Sequence, residues 1–142
     1  MLKEIQANKR LKKVYCMDEQ YNIMATFPMS TDFYEGTNEA GQRRSNADNG
    51  TYEVGTNGDC YNDKDNNSME AAYGWAYIGI DDRGRALHGG GSNLADPYAP
   101  YQTEFLPTYG CFRMYNADVY WLLLQKQRAE QAGIDVVITV VD

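Results

Sequence analysis

Short apolar runs separated by polar connections dominate the first half of the chain, which is the pattern of β-strands. Residues 11–17 and 21–29 are apolar-rich, and the polar residues 18–20 between them predict the turn of a β-hairpin. A polar connection over residues 30–50 leads to a short strand predicted at residues 51–55. The Asn- and Asp-dense residues 57–68 predict a surface loop.

Two further strands are predicted in the middle of the chain. Residues 74–80, with the sequence GWAYIGI, form an apolar run, and a turn at residues 81–84 returns the chain into a strand at residues 85–88. A loop over residues 92–109 follows and holds three of the four prolines. Because loops of this length are uncommon in small domains and are usually functional, we expect a lid over a groove.

The last part of the chain carries the periodicity of a helix. Asn116 is interpreted as the N-cap, and Asp118 lies in the first turn, where a carboxylate complements the helix dipole. Apolar residues recur at helical spacing through about residue 131, Gly133 fits the C-cap, and the β-branched residues 134–141 predict a closing strand. The predicted fold class is therefore mainly β with one packed α-helix near the C-terminus.

Length and charge narrow the possible functions. The 142 residues suit a single domain spanning residues 1–142, and the net charge of −7 argues against a nucleic-acid partner. No apolar run reaches the roughly 18 residues of a membrane helix, and the basic N-terminus lacks the apolar core of a signal peptide. We therefore expect a protein with no membrane segment. Either its export signal was removed, or it leaves the cell by another route. We also expect it to be a monomer.

His88 and Cys111 are the candidates for chemistry. His88 is the only histidine and ends one apolar run, whereas Cys111 follows Gly110 and opens another run two residues before Arg113. A histidine and a cysteine are the minimum parts of a thiol nucleophile with its base, and two adjacent strands could present both at one sheet edge. The nucleophile must be a thiolate, and a neighbouring imidazolium lowers the thiol pKa from about 8.5.

Other site types have weaker support. One histidine and three scattered cysteines lack metal-binding spacing, and Asp59, Asp63 and Asp65 lack the glycine and glutamate of an EF-hand loop, so no metal is predicted. The glycines at residues 89–91 do not precede a helical pattern, so no phosphate-binding cofactor is predicted either. Cys16 and Cys60 either form a disulfide or remain reduced thiols.

The motifs around His88 and Cys111 resemble the catalytic domain of the L,D-transpeptidases of the YkuD type, which cut and rejoin peptidoglycan stem peptides. That family carries His-Gly, a loop, then Ser/Thr-His-Gly-Cys, an aliphatic residue and Arg or Asn. Here His88-Gly89 is similar to the first part and residues 108–113 (TYGCFR) to the second, with Tyr109 in place of the motif histidine and Phe112 at the aliphatic position. The resemblance implies an L,D-transpeptidase-like β-sandwich and no cofactor.

The resemblance also implies a role for each motif residue. Cys111 would be the nucleophile and His88 its base, with the ring oriented by a backbone carbonyl at Gly89. Gly110 lets the backbone turn tightly. Backbone N–H groups in the segment that runs from Thr108 through Tyr109 to Cys111 would then hold the oxyanion that develops during the reaction.

Arg113 completes the set that the resemblance implies. It would bind a carboxylate of the stem peptide, although it could instead pair with Asp118. The acyl-enzyme would react with an amine or with water in the periplasm or cell wall.

Two other classes remain open from the sequence. The first is a non-catalytic peptidoglycan-binding module of the same fold, which the Tyr109 departure favours. The second is an unrelated cysteine hydrolase such as a papain-like amidase. In those enzymes the cysteine lies at a helix N-terminus and precedes the histidine, whereas here His88 comes first and Cys111 opens a strand-like run.

Overall fold

The structure is a computed structural model that describes residues 1–53 and 70–142. Within these ranges the chain forms two β-sheets and one long α-helix. The elements are β1 (Leu2–Asn8), β2 (Lys13–Asp18), β3 (Ile23–Pro28), β4 (Gly50–Glu53), β5 (Tyr77–Gly79), β6 (Ala86–His88), β7 (Phe112–Arg113), α1 (Asn116–Gln131) and β8 (Val137–Val141). The mainly β fold class with one helix near the C-terminus is therefore confirmed.

The larger sheet has the strand order β3-β2-β1-β8-β4. The predicted hairpin is present as β2 and β3, and β8 pairs in parallel with β1 and antiparallel with β4. The central strand β1 was not predicted from the sequence. A register shift between Leu2 and Glu4 breaks the alternation, so the buried residues are Leu2, Ile5 and Ala7 rather than every second residue.

The smaller sheet has the order β5-β6-β7, with β5 antiparallel to β6 and β6 parallel to β7. Its strands are shorter than the apolar runs that predicted them: the run over residues 74–80 forms a strand only at Tyr77–Gly79. All three residues of β6 are buried. This sheet is therefore covered on both faces where it approaches the helix.

Helix α1 contacts β1, β5 and β6 and so joins the two sheets. Its bounds agree with the predicted residues 116–131, but the N-cap does not: the cap residue is Tyr115, and no side chain caps the helix. At the other end Gly133 has φ +82°, and the N–H groups of Gly133 and Ile134 donate to Glu130 O (2.9 Å) and Ala129 O (3.0 Å). The C-cap residue is Ala132 rather than the predicted Gly133, and the glycine follows the cap in a Schellman-type ending.

One apolar cluster fills the space between the helix and the sheets. It includes Ile5, Val14, Leu87, Phe112 and Leu122, each fully shielded from solvent. No helix within the described ranges is both long and apolar enough to cross a membrane. The predicted loop at residues 57–68, with its three aspartates and Cys60, lies outside the described residues. The single domain over residues 1–142 and the monomeric state stay predictions.

Candidate active site

The pairing of β6 with β7 brings the histidine and the cysteine into one cavity. His88 ends β6 and pairs with Arg113, and Cys111 immediately precedes β7. Arg113, two residues after Cys111, lines the same cavity as the cysteine. Both Cys111 and His88 line a cavity of about 780 Å³.

A backbone carbonyl fixes the ring of His88. The Nδ1 atom lies 2.8 Å from Gly89 O, and because a carbonyl only accepts hydrogen bonds, Nδ1 carries the proton and Nε2 is left unprotonated. Tyr73 meets the imidazole edge-on at 5.1 Å between ring centroids, and Tyr77 stacks on it at 6.3 Å. The ring is thereby buried and held in one orientation.

The same surroundings hold His88 in its neutral form. The pKa of His88 is lowered from 6.5 to about 3, mainly by burial and also by the Arg113 guanidinium, against an opposing effect of the Gly89 carbonyl. An imidazolium is therefore not the resting form at neutral pH. This differs from the expectation that a charged ring would lower the pKa of the thiol.

Cys111 is also a neutral group at rest. Its Sγ–H donates to Gly84 O at 3.8 Å. Burial raises the pKa of the thiol from 9.0 to about 11, opposed by a backbone hydrogen bond from Ala86 and by the Arg113 charge. The resting site thus contains a thiol and a neutral imidazole that share one cavity.

The turn before Cys111 is built by Thr108 and Gly110. The Thr108 hydroxyl donates to Cys111 O (2.8 Å) and accepts from the Gly110 N–H (3.1 Å). Gly110 has φ +124°, and a Cβ there would lie 2.4 Å from Ser45 O, so only glycine fits. The Gly110 N–H is thus occupied by the Thr108 hydroxyl. In contrast, the N–H groups of Tyr109 and Cys111 on either side have no acceptor among the described residues.

Arg113 is bound to the protein rather than displayed to solvent. Its guanidinium donates to four backbone carbonyls: Leu106 O (3.1 Å), Ala72 O (2.9 Å), Gly89 O (2.7 Å) and Pro107 O (3.2 Å). One of its five N–H groups therefore remains without a partner among the described residues, whereas a bidentate carboxylate needs two. The alternative pair with Asp118 is not formed.

The contact between Arg113 and Gly89 O gives the arginine a positioning role. That carbonyl also accepts the hydrogen bond of His88 Nδ1, so one oxygen joins the guanidinium to the imidazole. The arginine fixes the carbonyl that fixes the ring, and its charge favours the neutral ring. This function was not predicted from the sequence, which indicated substrate binding.

Asn116 and Gln102 were also missed as residues of the site. The Asn116 amide oxygen accepts from Gly90 N–H (3.0 Å) and Trp75 N–H (3.3 Å), and its nitrogen donates to the loop carbonyls of Pro97 (2.9 Å) and Ala99 (2.7 Å). It therefore holds the loop against β6 instead of capping the helix. The only sequence signal was an Asx residue at a helix start, which indicates a cap more often.

Gln102 ties the same loop to both strands of the site. Its amide nitrogen donates to Gly90 O (3.2 Å) and Met114 O (3.0 Å), and its oxygen accepts from the Asn116 N–H (2.9 Å). Gly89 leaves the room that this network needs, because a Cβ there would lie 2.1 Å from the Asn116 amide oxygen. The predicted lid loop is thus anchored at its centre and lines the cavity with its two ends.

Tyr109 lies at the mouth of the cavity and is 70% exposed. Its ring is 5.8 Å from that of Tyr34, and the Arg44 guanidinium lies over it at 4.4 Å from the centroid. A positive charge therefore lies beside this tyrosine. The charge belongs to Arg44, which comes from the polar connection before β4 and not from the motif. Sequence spacing gave no indication of this contact.

No metal-binding group appears within the described residues, where no three His, Cys, Asp or Glu side chains cluster suitably. Cys16 is a buried free thiol, and burial raises its pKa to about 12. Of the two alternatives that the sequence left open for Cys16, the structure shows the reduced thiol; Cys60 lies outside the described residues.

Known structures show the same fold. The chain is similar to an L,D-transpeptidase from Xylanimonas cellulosilytica (15% identity, TM-score 0.58), covering 97% of this chain and 59% of that one. It is also similar to an L,D-transpeptidase from Stackebrandtia nassauensis (10%, TM-score 0.59, covering 100% and 56%). A third is L,D-transpeptidase 1 of Mycobacterium tuberculosis (11%, TM-score 0.53, covering 99% and 61%).

These likenesses establish the L,D-transpeptidase fold for this chain, as the sequence motifs indicated. The chain spans only 56–61% of the length of the three structures. No family model matches the sequence, and no curated protein matches it.

Proposed function

We propose that this chain is a cysteine acyltransferase that acts on peptidoglycan tetrapeptide stems, as an L,D-transpeptidase or an L,D-carboxypeptidase. The observation that carries the proposal is the bond from His88 Nδ1 to Gly89 O within the cavity that Cys111 lines. This bond leaves Nε2 as the only ring nitrogen able to take the thiol proton. The fold of the L,D-transpeptidase structures supports the substrate class, and the proposed reaction takes place in the periplasm or cell wall.

The first step forms a thioester. Cys111 Sγ attacks the carbonyl carbon of the third residue, a diamino acid, while the thiol proton passes to His88 Nε2. The imidazolium then gives this proton to the departing amine, and D-alanine leaves. An incoming amine or a water molecule releases the acyl group, which makes a cross-link or a tripeptide.

Proton transfer has to accompany the attack. Because burial raises the pKa of the thiol and lowers the pKa of the imidazole, a resting ion pair of the two groups is unfavourable in this cavity. A substrate that accepts the sulfur electrons as the proton leaves avoids a free thiolate in the buried site. The free N–H groups of Tyr109 and Cys111 are suited to the oxyanion that develops.

A non-catalytic peptidoglycan-binding module is the second candidate. The observation that favours it is the neutral resting pair, since an inactive descendant of the fold would also carry a protonated thiol. An amidase of the papain type is disfavoured, because Cys111 precedes β7 and lies five residues before the start of α1.

Incubation with a purified tetrapeptide, followed by mass spectrometry, separates these possibilities. We expect release of D-alanine by the wild type and none by Cys111→Ala. Cys16→Ala, which removes a buried thiol outside the cavity, is the matched control and should retain activity. Products longer than the substrate indicate transpeptidation, and a tripeptide indicates hydrolysis. Binding without any product over many hours would favour the non-catalytic module.

A further inference from the structure

Positive charge is concentrated around Cys111 in a chain whose net charge is −7. Four arginines line the cavity, and among the described residues the acidic lining is limited to Glu35. Arg113 is committed to backbone carbonyls, as shown above. Arg85 is neutralised, because its Nε lies 2.6 Å from Asp81 Oδ2 and both side chains are buried.

The other two arginines retain unused donors. Arg44 donates one hydrogen bond, from Nη1 to Glu35 O (3.2 Å), and stacks on Tyr109. Arg83 donates one, from Nη2 to Arg43 O (3.0 Å), and its buried Nε has no partner among the described residues. Neither forms an ion pair with a carboxylate within the described ranges.

Arg83 and Arg44 each precede a residue whose backbone carbonyl lies against Gly110 or Cys111. Arg83 precedes Gly84, whose carbonyl accepts the Cys111 thiol. Arg44 precedes Ser45, whose carbonyl closes on Gly110 so tightly that a Cβ would not fit. Both guanidinium-bearing residues line the cavity that Cys111 also lines.

We propose that Arg44 and Arg83 form a carboxylate subsite that holds the C-terminal carboxylate of the stem peptide. The inference rests on the function proposed above. In a tetrapeptide, the D-alanine carboxylate carbon is three bonds from the carbonyl carbon that Cys111 attacks, so a bound stem places this carboxylate in the cavity that both arginines line. A guanidinium fork matches a carboxylate, and the Tyr109 ring orders one of the two forks in advance. The site consequently selects free tetrapeptides over stems whose fourth residue is amidated or extended.

Binding to Cys111→Ala tests the selection without turnover. Calorimetry would compare the tetrapeptide with its C-terminal carboxamide, and we expect the carboxamide to bind at least about tenfold more weakly. When Arg44→Gln or Arg83→Gln is added to Cys111→Ala, the difference in affinity between the tetrapeptide and its carboxamide should become smaller. The matched control is Arg43→Gln, an adjacent exposed arginine that does not line the cavity. Equal affinity for the two peptides, or an equal effect of Arg43→Gln, would overturn the subsite.

A second measurement separates this inference from the proposed function. Iodoacetate and iodoacetamide alkylate thiols by the same chemistry but differ by one carboxylate, so their rate ratio at Cys111, relative to a free cysteine peptide, reports the charge of the cavity. We expect a preference for iodoacetate that Arg44→Gln and Arg83→Gln each reduce. If the preference is present but no tetrapeptide binds, the stem-peptide assignment fails and the function fails with it. If tetrapeptide is cleaved and the preference is absent, only the subsite fails.

Discussion

Replacement of His88 by glutamine should remove a specific loss of stability at acidic pH. In the folded protein burial lowers the pKa of His88 from 6.5 to about 3. The unfolded chain therefore binds a proton below about pH 6.5, whereas the folded chain does not until about pH 3. Stability consequently falls as pH falls through this window, by about 1.4 kcal/mol for each pH unit. Above pH 6.5 the histidine contributes no pH dependence.

The magnitude follows from these two pKa values. Between pH 7.5 and pH 4.5 the wild type should lose roughly 3 kcal/mol because of His88 alone, a large share of the 5–15 kcal/mol typical of a small domain. At pH 4.5 the folded ring is still neutral, so this figure depends mainly on the pKa in the unfolded chain. His88→Gln does not titrate, and its amide can still donate to Gly89 O.

Urea unfolding of the wild type and His88→Gln at both pH values measures the difference. All other titrating groups are common to the two proteins, so they cancel. Since His88 is the only histidine, its ring resonances in a protein without a histidine tag give an independent reading. An equal loss of stability in both proteins, together with a ring that titrates near pH 6.5, would refute the buried neutral base.

Three further substitutions test the construction of the site. Gly110→Ala should cost about 3 kcal/mol of stability, because it strains the backbone and meets Ser45 O; unchanged urea unfolding would contradict this. Arg113→Gln should destabilise by at least about 3 kcal/mol, since it strands buried carbonyls, and should raise the pKa of His88; weaker substrate binding at full stability would restore the substrate role. Tyr109→Phe should keep nearly full activity, because the hydroxyl has no partner in the described part of the chain. Tyr109→Ala should weaken peptide binding, because the ring under Arg44 contributes about 0.5–2 kcal/mol. Calorimetry that shows an equal loss of peptide affinity in both variants would contradict this.

The helix and its ending were predictable because their signals are local. A regular apolar spacing over four turns and a glycine after the last turn depend only on neighbours in the sequence. Strand β1 was missed for the opposite reason. Its bulge near Leu2 and Glu4 removes the alternation, and its central place depends on β8, which lies far along the chain. Long-range pairing of this kind leaves no local pattern.

The candidate site divides in the same way. The motif predicted Cys111, His88 and Gly89, and in the structure Cys111 and His88 line one cavity while Gly89 O contacts the His88 ring; their catalytic roles stay predictions. The roles of Arg113 and Asn116 depend instead on backbone carbonyls and N–H groups, which every residue type offers equally. A sequence therefore gives the identity of a buried donor but not its acceptors, so an arginine that binds backbone carbonyls cannot be told from one that binds substrate.

The proposed function depends most directly on a covalent acyl group at Cys111. The measurement is acid quenching of the protein with tetrapeptide after milliseconds to seconds, followed by intact mass and peptide mapping. We expect an added mass equal to the tetrapeptide minus D-alanine, located on the peptide that contains Cys111 and absent from Cys111→Ala. Release of D-alanine with no such adduct, or an adduct on Cys16 or Cys60 instead, would contradict the assignment of the nucleophile.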